Sequence, residues 1–168
     1  MPLPGRVHRA FSVTLDGPLS VLRGKIRRFA VLGGKSEISH YFPCMAHSKD
    51  WTHEIIGCAI EVHRELGAGL LESSYEMALC HELSTAGIQC ERQVPMPLVY
   101  KGERLECGYR TDLIVENSLI VEIKAVERLL PIHEAQLISY LRLSGMNTGL
   151  LINFNVLQLR DGLKRLVV

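Results

Sequence analysis

Between Thr111 and Lys124 two short apolar runs, residues 111–115 and 119–124, are separated only by Glu116, Asn117 and Ser118. Runs of this length, rich in Ile, Leu and Val and divided by turn formers, read as the two strands of an antiparallel hairpin. The charges inside them restrict the pairing further. Glu122 and Lys124 are two residues apart and project from one face, while Val121 and Ile123 project from the other. A strict two-residue turn at Asn117 and Ser118 would pair Glu116 with Leu119 and set Asp112 opposite Ile123, on the wrong face. Moving the register by one residue pairs Val115 with Leu119 and Leu113 with Val121, and it brings Asp112 beside Glu122. The expectation is therefore a three-residue loop over residues 116–118, or an equivalent bulge.

The surrounding sequence supplies helices and further strands. Thr52 is placed to cap a helix whose stripe is Ile55, Ile56, Ala59, Ile60, His63 and Leu66, and which Gly67, Ala68 and Gly69 interrupt. A second helix is predicted over residues 71–86, burying Tyr75, Ala78, Leu79 and Leu83, with Gly87 in the left-handed position past its end. Strands are expected over residues 88–94, 98–100, 104–109, 111–116 and 119–125, with Lys101 and Gly102 turning one hairpin. Pro131 opens a helix that runs to about residue 143 and stops at Gly145. A buried strand follows over residues 148–154, and an edge strand over 163–168. This order predicts an α/β domain of mixed α+β type, a mixed sheet flanked by helices.

Residues 1–44 differ in character. They carry Pro2, Pro4, Gly5, Gly17, Pro18, Gly33, Gly34 and Pro43 without a sustained period, and are expected to be a poorly ordered extension. Their seven Lys/Arg against two Asp/Glu, a net of +5, look like an organelle transit peptide. The same look arises when sequence upstream of the true start is translated, and that reading is favoured, with Met45 as the natural start of a domain over residues 45–168. That domain holds twelve basic against sixteen acidic residues, a net of −4. A protein that grips long nucleic acid usually shows a basic surface, so this balance argues against tight nonspecific binding.

No run of about 18 apolar residues is present, so no membrane span is expected. Five cysteines, Cys44, Cys58, Cys80, Cys90 and Cys107, form no CxxC pair and follow no secretory signal, which predicts a reduced, cytoplasmic setting. The spacing of His40, Cys44 and His47 is reached more often by coincidence than by metal binding.

Charged groups in a central strand are expensive unless paired or bound to a metal. Two adjacent carboxylates, Asp112 and Glu122, are hard oxygen ligands suited to Mg²⁺ or Mn²⁺, with Lys124 placed to orient a water or stabilise phosphate charge. The structural alternative is a Glu122–Lys124 ion pair on an exposed face, with Asp112 merely ending a turn. Glu72 sits where an acid favours a helix dipole, and Tyr75 reads by default as core. Gln136 and Tyr140 share a helix face and could be an ordinary hydrogen-bonding pair. His63 reads as a packed core histidine. His133 reads as a helix-start polar residue, although it and Glu134 could line the same pocket as Gln136.

Gly69, Glu72 and Tyr75, with the helix through Ala59-Ile60-Glu61-Val62-His63-Arg64-Glu65-Leu66-Gly67, resemble the signature of the GxxExxY proteins. The likeness continues through Gly108-Tyr109-Arg110-Thr111-Asp112, Val121-Glu122-Ile123-Lys124-Ala125, Pro131-Ile132-His133-Glu134-Ala135-Gln136 and Gly149-Leu150-Leu151-Ile152-Asn153-Phe154-Asn155, covering about residues 52–168. That family is grouped with the PD-(D/E)XK nucleases, which implies a restriction-endonuclease-like fold. The resemblance implies Glu72, Asp112 and Glu122 as metal ligands for Mg²⁺ or Mn²⁺, and Lys124, Gln136 and Tyr140 as catalytic residues. Thr111 stands where the fold's name has Pro. The function implied is a metal-dependent nuclease acting on DNA or RNA. The alternative is a noncatalytic module of the same fold that binds a nucleotide or a protein, since basic residues near the site are few: Arg92, Arg110, Lys124 and Arg128. A transport component lacks the signal sequence it would need.

Overall fold

The structure, a computed structural model, describes residues 49–105 and 108–168. The expectations for residues 1–44, for Met45 and for the His40, Cys44, His47 spacing lie outside the described residues, as does part of the strand expected over 104–109.

Helix α1 (Thr52–Leu66) and helix α2 (Glu72–Thr85) are followed by β1 (Cys90–Pro95), β2 (Leu98–Tyr100), β3 (Glu103–Leu105), β4 (Arg110–Val115) and β5 (Leu119–Lys124). Helix α3 (Pro131–Ser144) then leads to β6 (Thr148–Asn153), a short 3-10 helix (Leu159–Gly162) and β7 (Leu163–Val167). Five strands form one mixed sheet in the order β1-β4-β5-β6-β7, and β2 pairs with β3 as a separate two-stranded sheet. Only β5 and β6 run parallel, joined through α3. The expected mixed sheet flanked by helices is the architecture found.

Each apolar strand has two buried faces, which explains the lack of polar alternation in β5 and β6. Leu113, Val115, Leu119, Val121, Ile123, Leu150 and Ile152 pack with Ile55, Ala59, Val62, Tyr75, Leu79 and Leu83 of α1 and α2. The opposite face, through Ile114, Ile120 and Leu151, packs with Leu137, Tyr140 and Leu141 of α3. Gly149 permits that approach, because a Cβ there would stand 2.8 Å from a Leu137 methyl. Gly162 is tighter still: a Cβ would meet the Asn153 carbonyl oxygen at 2.2 Å.

Two details of α1 correct the sequence reading. Thr52 is already inside the helix, and the Asp50 carboxylate takes the Thr52 N–H at 3.0 Å in its place. Ile60 and Leu66 are exposed, the buried stripe being Ile55, Ala59 and Val62. The buried stripe is narrower than the expected one because a helix on a single sheet face buries only the residues pointing at that face.

The hairpin register is the one expected: Leu113 pairs with Val121, Ile114 with Ile120 and Val115 with Leu119. Val115 O accepts the Ser118 N–H at 3.0 Å, and Glu116 and Asn117 both have φ of 50°, as a type I′ turn requires. Asn tolerates that conformation easily; Glu116 is held in it by two bonds to Gln89, its N–H to the Gln89 carbonyl at 3.0 Å and its carboxylate to the Gln89 N–H at 2.9 Å.

Candidate metal centre

The β4–β5 ladder closes at Leu113 and Val121, so Asp112 and Glu122 are not ladder partners. Beyond that point the Asp112 side chain replaces the backbone acceptor, its Oδ2 taking the Ile123 N–H at 2.7 Å. Glu122 lies almost fully buried on β5, and its Oε1 accepts from Lys124 Nζ at 2.5 Å. Its other oxygen, Oε2, is buried with no hydrogen-bond partner among the described residues.

The electrostatics follow from this crowding. Burial, then the negative charge of Asp112, push the Glu122 carboxyl up from its usual value to about 7, against the opposing pull of Lys124. Burial also raises Asp112, opposed by the Ile123 N–H and the Lys124 charge. The charges of Glu76 and Glu72 add to the rise. Two buried acids, one of them with an orphaned carboxylate oxygen, are a donor set of the kind a hard divalent cation takes.

The G-x-x-E-x-x-Y spacing has a mechanical explanation. Gly69 adopts a φ of 99°, which a side chain would resist. The Tyr75 hydroxyl donates to Gly67 O at 2.8 Å and accepts from Leu70 N–H at 3.0 Å, tying down the loop ahead of α2. The Tyr75 ring stacks on Phe154, with centroids 4.4 Å apart, at the end of β6. Glu72, at the first turn of α2, then reaches across to accept the Ala125 N–H at 3.1 Å, one residue beyond Lys124. Among the described residues no three His, Cys, Asp or Glu side chains are gathered closely enough to cage an ion. Asp112 and Glu122 lie close enough for the charge of one to act on the other, and Glu72 is engaged with backbone.

From α3, Gln136 donates its Nε2 to the Tyr140 hydroxyl at 3.0 Å. Tyr140 is buried, and burial raises its phenol above the ordinary range, with the charges of Glu122 and Asp112 close enough to add to that rise. Tyr140 thus faces the same charges as Lys124. His133 and Glu134 do not join them. His133 Nδ1 accepts the Leu130 N–H at 3.1 Å as a helix-start cap, and Glu134 is paired with Lys164. His133 is thus the helix-start polar residue expected from the sequence, whereas the partner of Glu134 lies thirty residues further along the chain. His63 is half-buried at the edge of the core rather than inside it, its Nε2 2.9 Å from Val156 O and its ring 6.4 Å from Phe154.

Three residues near the site were not singled out from the sequence. Glu76 is buried on α2, one turn after Glu72, and a four-residue spacing of acids beside Tyr75 was a signal that could have found it. Asn153 fixes the loop after Lys124 through Val126, accepting its N–H at 3.0 Å and donating to its carbonyl at 2.8 Å. Gln93 carried no signal at all. A cleft of about 490 Å³ lined by Cys80, Cys90, Glu116 and Asn117 lies at the opposite, turn end of the hairpin, away from these groups.

A family model described as the PD-(D/E)XK nuclease superfamily matches residues 49–166. No curated protein and no solved structure gives a significant match.

Proposed function

Because this chain belongs to the PD-(D/E)XK nuclease superfamily, we propose that it is a metal-dependent nuclease of the GxxExxY type, hydrolysing phosphodiester bonds of DNA or RNA in the cytoplasm. The observation that carries this reading is the buried, unpartnered Oε2 of Glu122 beside Asp112 and Lys124. A neutral structural ion pair has no use for that oxygen, whereas a cation ligand does.

On this reading Asp112 and Glu122 hold Mg²⁺ or Mn²⁺, with Glu72 turning in from α2. Such an ion, when bound, polarises the phosphodiester and acidifies a coordinated water. Lys124, whose Nζ sits on Glu122 Oε1, would orient the attacking water or stabilise charge on the phosphate. Gln136 donates to the oxygen of Tyr140, which leaves the phenolic proton free for a substrate oxygen and fixes its direction. Burial of Glu122 and the packing of α3 against β5 keep bulk water from competing for these groups.

Superfamily membership does not by itself establish cleavage. The acidic balance of residues 45–168, sixteen acids against twelve bases, favours one second reading: a noncatalytic module that keeps the fold and binds a nucleotide or a protein partner. Purified chain incubated with single- and double-stranded DNA and RNA plus Mg²⁺ or Mn²⁺ separates the two. Cleavage by the parent but not by Asp112→Ala or Lys124→Ala supports the nuclease. Cation binding without turnover on any of the four substrates supports the module.

A further inference from the structure

Gln93 lies in the middle of β1 with a φ of 52°, a left-handed conformation that a non-glycine residue in a strand adopts only when its surroundings impose it. In a regular strand Arg92 and Gln93 would point to opposite faces of the sheet. Here the break in alternation lets both reach one carboxylate. Arg92 Nε donates to Glu76 Oε1 at 2.8 Å, and Gln93 Nε2 donates to Glu76 Oε2 at 2.7 Å. Glu76 is itself buried on α2. Arg92 neutralises its charge through Oε1 and Gln93 satisfies Oε2, which leaves the second hydrogen of the Gln93 carboxamide for another acceptor.

That acceptor lies on the other side of the carboxamide. Arg92 pairs with Leu113 and Val94 with Thr111, which leaves Gln93 across from Asp112, and Gln93 Nε2 lies 3.5 Å from Asp112 Oδ1. Asp112 is thereby held at both oxygens, Oδ2 by the Ile123 N–H and Oδ1 by Gln93. The long second contact is the one that can be given up without cost to the sheet.

We propose that Gln93 is a positioning residue for Asp112: Glu76 anchors the Gln93 carboxamide, and the carboxamide holds Asp112 Oδ1 at the mouth of the site until a divalent cation takes it. This rests on the reading of Asp112 as a metal ligand. Groups that orient a ligand in this way typically change metal affinity about 10- to 100-fold when removed.

The test is Mn²⁺ binding by calorimetry on the full chain, comparing the parent with Gln93→Gly and Arg92→Met. Gly accepts the backbone conformation at position 93, and each variant takes one donor from Glu76, Arg92→Met being the harsher of the two for that carboxylate because it also removes the charge partner. The expected result is Mn²⁺ binding at least tenfold weaker in Gln93→Gly and no weaker in Arg92→Met. Equal affinity in Gln93→Gly and the parent overturns the proposal, as does an equal loss in both variants, which would assign the effect to Glu76. Absence of Mn²⁺ binding by the folded parent overturns the metal reading itself, and this proposal with it.

Discussion

Asp112 Oδ2 takes the Ile123 backbone N–H at 2.7 Å, at the point where the ladder between their strands has ended. One oxygen of the carboxylate closes the hairpin, and the other, 3.5 Å from Gln93 Nε2, is the one the proposed function assigns to a cation. Asp112→Asn separates them, because its amide oxygen still accepts the Ile123 N–H while the charge is gone. The chain should keep its fold and lose Mn²⁺ affinity by about 100-fold. Parent-like Mn²⁺ binding by this variant would remove Asp112 from the centre.

The Glu122 carboxyl, raised to about 7, gives the protein a signed pH dependence. Its folded value lies above its unfolded one, so between about 4.5 and 7 the folded chain binds more protons than the unfolded chain. The stability of the metal-free protein should fall as pH rises through that window. Metal binding displaces the same proton, so Mn²⁺ affinity should climb over the same interval and level off above it. Glu122→Gln should flatten both curves, read by thermal melts and calorimetry from pH 4.5 to 8.

Lys124→Met should divide binding from turnover. It removes the cation that occupies Glu122 Oε1, so Mn²⁺ should bind at least as tightly as in the parent. Hydrolysis should drop by about 100-fold or more, since the lost group acts on developing charge. A loss of Mn²⁺ binding equal to the loss of activity would count against this division of roles.

The hairpin and its register were legible from the sequence because alternation, once one face carries Glu122 and Lys124, leaves a single pairing that also matches the apolar residues. The helices of α2 and α3 were legible from Gly87, Pro131 and Gly145, whose backbone needs are local. What stayed hidden depends on partners distant in the chain. Asp112 could be put near Glu122 by register, but not its bond to Ile123, which arises because the strands part. The engagement of Glu134 by Lys164 and of Glu72 by the Ala125 N–H needed the packed sheet. Gln93 was invisible because no residue preference marks Gln as left-handed.

Tyr75→Phe tests the account of the signature spacing. It keeps the stack on Phe154 and deletes both hydroxyl bonds to Gly67 and Leu70. A stability loss of about 1–3 kcal/mol is expected in chemical denaturation, with the loop over residues 67–71 exchanging its amides faster. Unchanged exchange there would show that the hydroxyl does not hold Glu72 in place.

Thr111→Val should stabilise the protein. Thr111 is fully buried and its hydroxyl has no partner among the described residues, so the substitution exchanges an unsatisfied polar atom for a methyl of the same shape. A gain of about 1 kcal/mol follows, visible as a higher Tm. A fall in Tm would mean that the hydroxyl is satisfied in solution by a water.

Gly162 leaves no room for a methyl group, and the atom it would strike, the Asn153 carbonyl oxygen, belongs to the residue whose amide anchors the chain just past Lys124. A lesion in the last turn before the C-terminal strand would therefore be transmitted to the lysine without touching it. Inactive variants recovered by random mutagenesis should include this distant position, and their defect should be repaired by no change near the acids themselves.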